Sequence, residues 1–484
     1  MTEAQRERPA AAESGAIAPS GAIDSRGAAA TQGVRERATS PPGYRRPADP
    51  LRLVLHLVTD LRLGGTQMIL LDRVRRPGPF RHAVLCFSAR TGGRRAAEAT
   101  DIAAAFCKLD VPIHRLGIGT PAEAVISALT GRLARRVDEL LAVTQPAILH
   151  STLFHVHLLG DWMARRAGVP HLASKEGTDD WMGPLQRRLE SRALRRATRV
   201  AAVSQATARA VRLLGVEESH IEVIPNGIDP AWPGAWAIPA SPVADRGALS
   251  AAAPRAGRSA LAFGVPDSLT TPSDGPHLLG VGRLDPVKGW DDLLDAMALL
   301  QASHPDIYLD ILGSGTETQR DRLRGRAASL ELADRVRIRE ETSALIEPVV
   351  EENPALGEAA RCSPPREQRP SPQPILVVPS REEGFGLVLL EGMARGLSIV
   401  ATRAGGIPEV ARHDIEAILV PPRNPPALAE AIARMHADPA LASRLAQGGR
   451  TRVAAFPTTA MVDAYHRLYA EILDRFDTGR SRVR

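Results

Sequence analysis

Glu383 and Glu391 stand eight residues apart in the stretch Val-Pro-Ser-Arg-Glu-Glu-Gly-Phe-Gly-Leu-Val-Leu-Leu-Glu-Gly-Met-Ala-Arg-Gly at 378–396. The apolar run at 375–378 predicts a buried strand that Pro379 breaks. Gly384, Phe385 and Gly386 then form a turn, and a helix is expected from Leu387. Glu383 falls on the loop and Glu391 just over one turn inside the helix, so both reach the space beyond the strand end. In open α/β sheets that space is where ligands bind. The amides of Gly386, Leu387 and Val388 lack intrahelical partners and favour an anion. A phosphate on those amides, flanked by carboxylates that accept sugar hydroxyls, describes a nucleotide-sugar site. The bland alternative is a solvated helix face behind an ordinary loop.

Three further groupings suit the same chemistry. In His-Leu-Leu-Gly-Val-Gly-Arg-Leu-Asp-Pro-Val-Lys-Gly at 277–289, Arg283 and Lys288 are two cations on one loop after a short apolar strand. Arg offers a rigid fork and Lys a point charge, a pairing that suits a diphosphate. Gly64 and Gly65 lie in a turn after the first predicted strand, where backbone amides can approach a bound group. That turn is not the G-x-G-x-x-G fingerprint, and no acidic ribose partner follows at the expected distance, so a nicotinamide dinucleotide is a poor fit. His150 closes a strand on the cleft side, and His155 lies one turn into the next helix. Either offers a cleft imidazole; packing or capping is the alternative. No Cys or paired carboxylate beside them suggests a metal site.

The stretch Pro-Ser-Arg-Glu-Glu-Gly-Phe-Gly followed by Glu391-Gly-Met-Ala resembles the Glu-x7-Glu signature of the retaining glycosyltransferases of family four. The resemblance implies the GT-B fold: α/β, with two doubly wound Rossmann-like domains facing across a cleft. It implies that Glu383 contacts the donor sugar and Glu391 the ribose. Arg283 and Lys288 match the family's diphosphate loop, and Gly64 and Gly65 the loop near donor phosphates and acceptor. Many members carry His-x-His after the fourth strand; this chain has Thr152 in the second place, and His155 is the candidate to act instead. The implied catalytic set is Arg283, Lys288, Glu383 and His155. Gly64, Gly65, His150, Gly384, Phe385, Gly386, Leu387 and Glu391 are the implied substrate-binding set. The reaction implied is transfer of a sugar from a nucleoside diphosphate to an acceptor hydroxyl with retention, without cofactor or metal. Polysaccharide, lipopolysaccharide or other glycoconjugate assembly is the implied setting.

The elements that would position these residues alternate strand and helix along the chain, which argues for parallel sheets covered by helices on both faces. Residues 1–49 read as a disordered tail, 50–229 as an N-terminal acceptor domain and 230–276 as an expanded flexible linker. A C-terminal nucleotide-sugar domain at 277–455 carries a Pro-rich insertion at about 341–374. An amphipathic helix within 456–484 is expected to cross back onto the N-terminal domain. The insertion stands where the family meets the nucleotide base, so no base contact is assigned.

Composition narrows the class. At 484 residues the chain is long enough for two or three domains, and 44% apolar content supports large cores. The net charge of +6, from 61 basic against 55 acidic residues, has no aromatic-rich basic module behind it, and nucleic acid is not an expected partner. Cys86, Cys107 and Cys362 are far apart, which suits a reducing cytosol. No signal peptide or membrane-spanning run is read. A basic helix holding Arg187, Arg188, Arg192, Arg195, Arg196 and Arg199, with Leu185, Leu189 and Leu194 as its apolar side, is either a solvated face on an Arg-rich chain or a surface for contact with an anionic membrane. The expected location is therefore cytoplasmic, peripheral on the inner face, with a carbohydrate or lipid-linked acceptor. A glycosidase would not need the two cations near a helix start, and a GT-B phosphorylase would require a pyridoxal-phosphate lysine context that is not found. A non-catalytic nucleotide-sugar binding protein is the rival of another class, motivated by Thr152 and the altered segment at 340–374.

Overall fold

The computed structural model describes residues 51–62, 64–88, 102–118, 131–179, 182–229, 277–339 and 374–481. The expected tail at 1–49, the linker at 230–276 and the insertion at 341–374, apart from Pro374, lie outside the described residues.

Among the described residues two parallel sheets form. The first holds β1 (Arg52–Val58), β2 (Phe80–Ser88), β3 (Ile113–Ile118), β4 (Ile148–Thr152), β5 (His171–Lys175), β6 (Arg199–Ala202) and β7 (Ile221–Val223). Its spatial order is β3-β2-β1-β4-β5-β6-β7. The second holds β8 (His277–Val281), β9 (Tyr308–Leu312), β10 (Val336–Arg339), β11 (Ile375–Val378), β12 (Ile399–Thr402) and β13 (Ile418–Val420), in the order β10-β9-β8-β11-β12-β13. The strands are short and largely apolar because both faces are covered: all residues of β11 and β12 are buried. Strand order reverses between β1 and β4 and between β8 and β11, so each sheet has a crevice at the carboxyl ends of those pairs. This is the expected α/β, GT-B arrangement of two doubly wound domains.

The helix Thr458–Ser481 is longer than its apolar stripe suggested. It lays Met461, Tyr465, Leu468, Tyr469 and Ile472 on Val54, Ile148, Leu172 and Ala201 of the N-terminal sheet. The chain thus returns across the molecule, and backbone bonds between Ile228 and the Phe456–Thr458 segment pin the crossing (Ile228 N to Phe456 O, 2.8 Å; Thr458 N to Ile228 O, 3.1 Å).

The basic helix differs from expectation. It spans Pro184–Leu194, and Arg199 opens β6 instead, buried and bonded to Glu222 at 3.0 Å and Glu471 at 3.3 Å. Its inward side is Glu190, Ala193 and Leu194, because Glu190 turns in to meet the buried Lys175 at 2.8 Å. Leu185 and Leu189 face outward, at 70% and 38% exposure. Among the described residues no helix is long and apolar enough to cross a membrane.

Candidate functional site

The sequence around β11 builds one wall of a cleft. Gly386, at φ 98°, takes the left-handed conformation that glycine tolerates, and this turns the chain from the loop into the helix Leu387–Ala394. Glu383 is fixed on that loop from several sides. Its backbone oxygen accepts from Gly406 N at 2.9 Å. Its Oε2 accepts from Lys288 Nζ at 2.7 Å and from Ser380 Oγ at 3.2 Å. The two loops are joined again where Arg381 N donates to Val287 O at 2.8 Å, while Asp292 holds the Arg381 guanidinium at 2.6 and 2.8 Å. Trp290, at the start of the helix Trp290–Leu300, donates from Nε1 to Arg283 O at 2.8 Å and so sets the path of the cationic loop. The Arg283 side chain itself is 63% exposed and rests on Asp285 at 2.6 Å.

These groups line one cleft of about 330 Å³. It brings together Gly64 and Gly65 from the N-terminal domain with Arg283, Lys288, Glu383, Gly384, Phe385, Gly386, Leu387 and Glu391 from the C-terminal domain. The walls touch: a Cβ on Gly65 would lie 3.2 Å from Leu387 Cδ1, and a Cβ on Gly384 would overlap the carbonyl oxygen of Glu176. Ser204 Oγ and Thr207 Oγ1 donate to Gly384 O at 2.7 and 3.3 Å. Glu409 caps the helix Gln205–Leu213 from the opposite domain, accepting from the amides of Gln205 and Ala206, each at 2.7 Å.

The two histidines expected at the cleft are elsewhere. His150 is fully buried under the C-terminal helix, with Nδ1 bonded to Tyr469 Oη and Nε2 to Ser174 Oγ, both at 2.7 Å. Both ring nitrogens are therefore engaged, and burial holds its pKa well below the ordinary histidine value. His155 sits on the exposed side of the helix Phe154–Ala167, its ring against Phe154. The reason is register. A strand end delivers only alternate residues to each face, and helix entry at Leu153, with φ 79°, sends Leu153 rather than a histidine to the cleft. His157 is buried too, with Nδ1 on Ser151 Oγ at 2.8 Å.

Other cleft residues were not singled out from the sequence. Glu176, Thr178 and Asp179 follow β5, Asn226 follows β7, and Ser314 follows β9. Glu176 is half-buried; desolvation pushes its carboxyl above the usual range, opposed by the Arg73 charge and by the neighbouring Asn226. Arg73 is buried and stacks on the Tyr465 ring, 3.7 Å from guanidinium carbon to centroid. The available signal was positional only: Lys-Glu-Gly-Thr-Asp and Pro-Asn-Gly both sit at the carboxyl ends of strands.

Arranged this way, the cleft offers a diphosphate two cations and a helix start, and offers hydroxyls several carboxylates. The sequence profile described as Glycosyltransferase Family 4 matches residues 63–232, and profiles described as Glycosyl transferases group 1 match 265–347 and 374–438. A D-inositol 3-phosphate glycosyltransferase of Thermobispora bispora is 31% identical over 214 residues, 43% of this chain and 46% of that protein. The lipopolysaccharide core biosynthesis glycosyltransferase LpsE of Rhizobium meliloti is 31% identical over 206 residues, 42% of this chain and 52% of that protein. The chain spans about half the length of the curated relatives it matches. In structure, Anabaena HepE in complex with UDP and glucose has a TM-score of 0.61 at 18% identity, over 87% of this chain and 100% of that one. Sucrose-phosphate synthase of Thermosynechococcus elongatus has 0.63 at 20%, over 88% and 100%. With family profiles on both sheets and a GT-B frame beneath them, the chain belongs to the group 1, family four glycosyltransferases.

Proposed function

We propose that this protein transfers a sugar from a nucleoside-diphosphate sugar to an acceptor hydroxyl, with retained anomeric configuration and without a divalent metal. The observation that carries the reading is the single cleft in which Arg283, Lys288, Glu383, Glu391 and the amides opening the helix Leu387–Ala394 converge opposite Gly64 and Gly65. Breaking the bond between sugar and diphosphate builds negative charge on the leaving phosphate. Arg283, Lys288 and the helix start are aimed at that charge before it develops, which is electrostatic preorganisation. Lys288 exchanges its bond to Glu383 for the diphosphate, freeing Glu383 for the sugar hydroxyls, while Glu391 takes the ribose. Two cations suffice to neutralise the diphosphate, so chelation of divalent ions leaves turnover intact.

The test is a thermal-shift screen against UDP, GDP, ADP, TDP and their common sugars, headed by UDP and UDP-glucose, the ligands named for the Anabaena neighbours. It is followed by release of free nucleoside diphosphate with and without chelator, and by the anomeric configuration of the product. One nucleotide family that shifts melting and then turns over supports the reading. A protein that binds but never releases nucleoside diphosphate supports the rival, a non-catalytic nucleotide-sugar binder, which is favoured by Thr152 and by the absence of histidine among the described cleft residues.

The biological setting that fits is polysaccharide, lipopolysaccharide or other glycoconjugate assembly at the inner face of the cytoplasmic membrane. What supports membrane contact is the helix Pro184–Leu194, which turns Leu185, Leu189, Arg188 and Arg192 outward together. Co-sedimentation with phosphatidylglycerol vesicles, lost in an Arg188→Glu, Arg192→Glu variant, is the expected result.

A further inference from the structure

We propose that Asp285 and Gln319 are positioning residues that hold the Arg283 guanidinium ready for the leaving diphosphate; this rests on the glycosyltransferase reading above. The backbone of the cationic loop is tied on both sides of Asp285: Leu284 N donates to Ser314 O at 2.9 Å, and Lys288 N donates to Asp285 O at 3.0 Å. The Arg283 side chain has no such support from packing, being 63% exposed. A long cation in solvent samples many rotamers, and a charge must be fixed before the reaction to act by preorganisation. Asp285 Oδ2 restrains the guanidinium through Nη1 at 2.6 Å, and the fork keeps its other donors for a ligand.

Asp285 is itself held. Its second oxygen, Oδ1, accepts from Gln319 Nε2 at 3.1 Å. Gln319 is oriented by a capping box at the start of the helix Glu317–Ser329: its Oε1 accepts from Thr316 N at 2.8 Å, and its own N donates to Thr316 Oγ1 at 3.2 Å. With Oε1 committed to Thr316, Nε2 is the group that faces the carboxylate. Leu323 and Ala327 seat that helix in the C-terminal core. The bonds thus run from a packed helix to an exposed cation. Neither Asp285 nor Gln319 is among the described residues lining the cleft, so both act through Arg283 and not on substrate. The sign of the effect follows. The carboxylate competes with a bound diphosphate for the guanidinium, so removing it does not weaken donor binding. What is lost is fixed geometry as charge develops, a transition-state interaction. The pair is exposed and adds little to folding stability.

The experiment uses the full chain with the sugar nucleotide whose base the thermal-shift screen identifies, and follows release of nucleoside diphosphate. Asp285→Ala is expected to lower kcat about tenfold, with donor KM unchanged or lower and the melting temperature held. Gln319→Ala, which changes no charge, is expected to lower kcat about threefold. The double variants decide whether the residues act in series. Asp285→Ala with Gln319→Ala should match Asp285→Ala alone, and Arg283→Ala with Asp285→Ala should match Arg283→Ala alone. The proposal is overturned by kcat losses that multiply in either double variant, by an Asp285→Ala kcat within about twofold of the unmodified protein, or by a donor KM that rises as kcat falls. Any of these outcomes, with the unmodified protein turning over, leaves the glycosyltransferase reading standing. Absence of both nucleotide shift and turnover in the unmodified protein sinks that reading instead, and this proposal with it.

Discussion

Lys288 Nζ meets Glu383 Oε2 at 2.7 Å, with side chains only 21% and 14% exposed. Each holds the other's charge where water screens poorly, so removing one disturbs the other. Glu383→Ala and Arg283→Ala are each expected to lower transfer about a hundredfold or more, because both act by positioning and charge stabilisation; the melting temperature should hold in the exposed Arg283→Ala and fall in Glu383→Ala, which takes the carboxylate from Lys288. Full activity in a purified Arg283→Ala variant contradicts the diphosphate assignment. Gly384 makes a separate prediction. Its Cα faces the Glu176 carbonyl so closely that alanine forces the walls apart, and Gly384→Ala should lose activity while each domain stays folded by circular dichroism. The buried Lys175–Glu190 pair, 2% and 0% exposed, tests stability instead. Glu190→Ala removes one of the two carboxylates on Lys175, with Asp179 remaining, and should destabilise by about 1–3 kcal/mol in urea melts.

At the scale of elements, the N-terminal sheet is built around neutral histidines. β1 and β4 set His56 beside His150 in register, and His82 lies on the neighbouring β2. Burial lowers His56, His150 and His157, takes His82 down to about 4, and takes His171 down to about 3. The unfolded chain protonates each near 6.5, so it binds more protons than the fold below that pH. Stability from these groups is therefore full above 6.5 and is lost as pH falls toward their folded values, at up to about 1.4 kcal/mol per group for each pH unit. Urea midpoints measured from about pH 7 down to 4 should fall steadily, and His171→Asn should make the fall shallower. A midpoint that does not move with pH would remove this account. The same packing explains why the C-terminal helix is an N-terminal element in energetic terms: Tyr465 and Tyr469 close over Arg73 and His150.

At the scale of the molecule, the two domains meet through polar contacts rather than a shared apolar core alone. Ser204 and Thr207 bind Gly384 O, and Glu409 caps the helix Gln205–Leu213 from across the cleft. Two carboxylate-to-amide bonds favour the closed arrangement by about 1–3 kcal/mol each. Glu409→Ala should therefore enlarge the radius of gyration in X-ray scattering and lower kcat, with nucleotide binding by the C-terminal wall preserved. No change in scattering would mean that the crossing at Ile228 and Phe456 holds the domains unaided.

The sequence alone determined what local physics determines. The Glu383 and Glu391 pair and the Arg283 and Lys288 loop were legible because each fits within one strand-turn-helix unit, where spacing sets geometry. The apolar strands and the amphipathic last helix were legible through their periodicity, and with them the doubly wound frame. The tertiary structure decided what distant segments do to one another. His150 became a packed residue because Tyr469, far along the chain, lands on it. Glu176 and Asn226 joined the cleft only because β5 and β7 end on the same side of one sheet. Burial and partner identity are properties of the assembled fold, and no spacing within a short window encodes them.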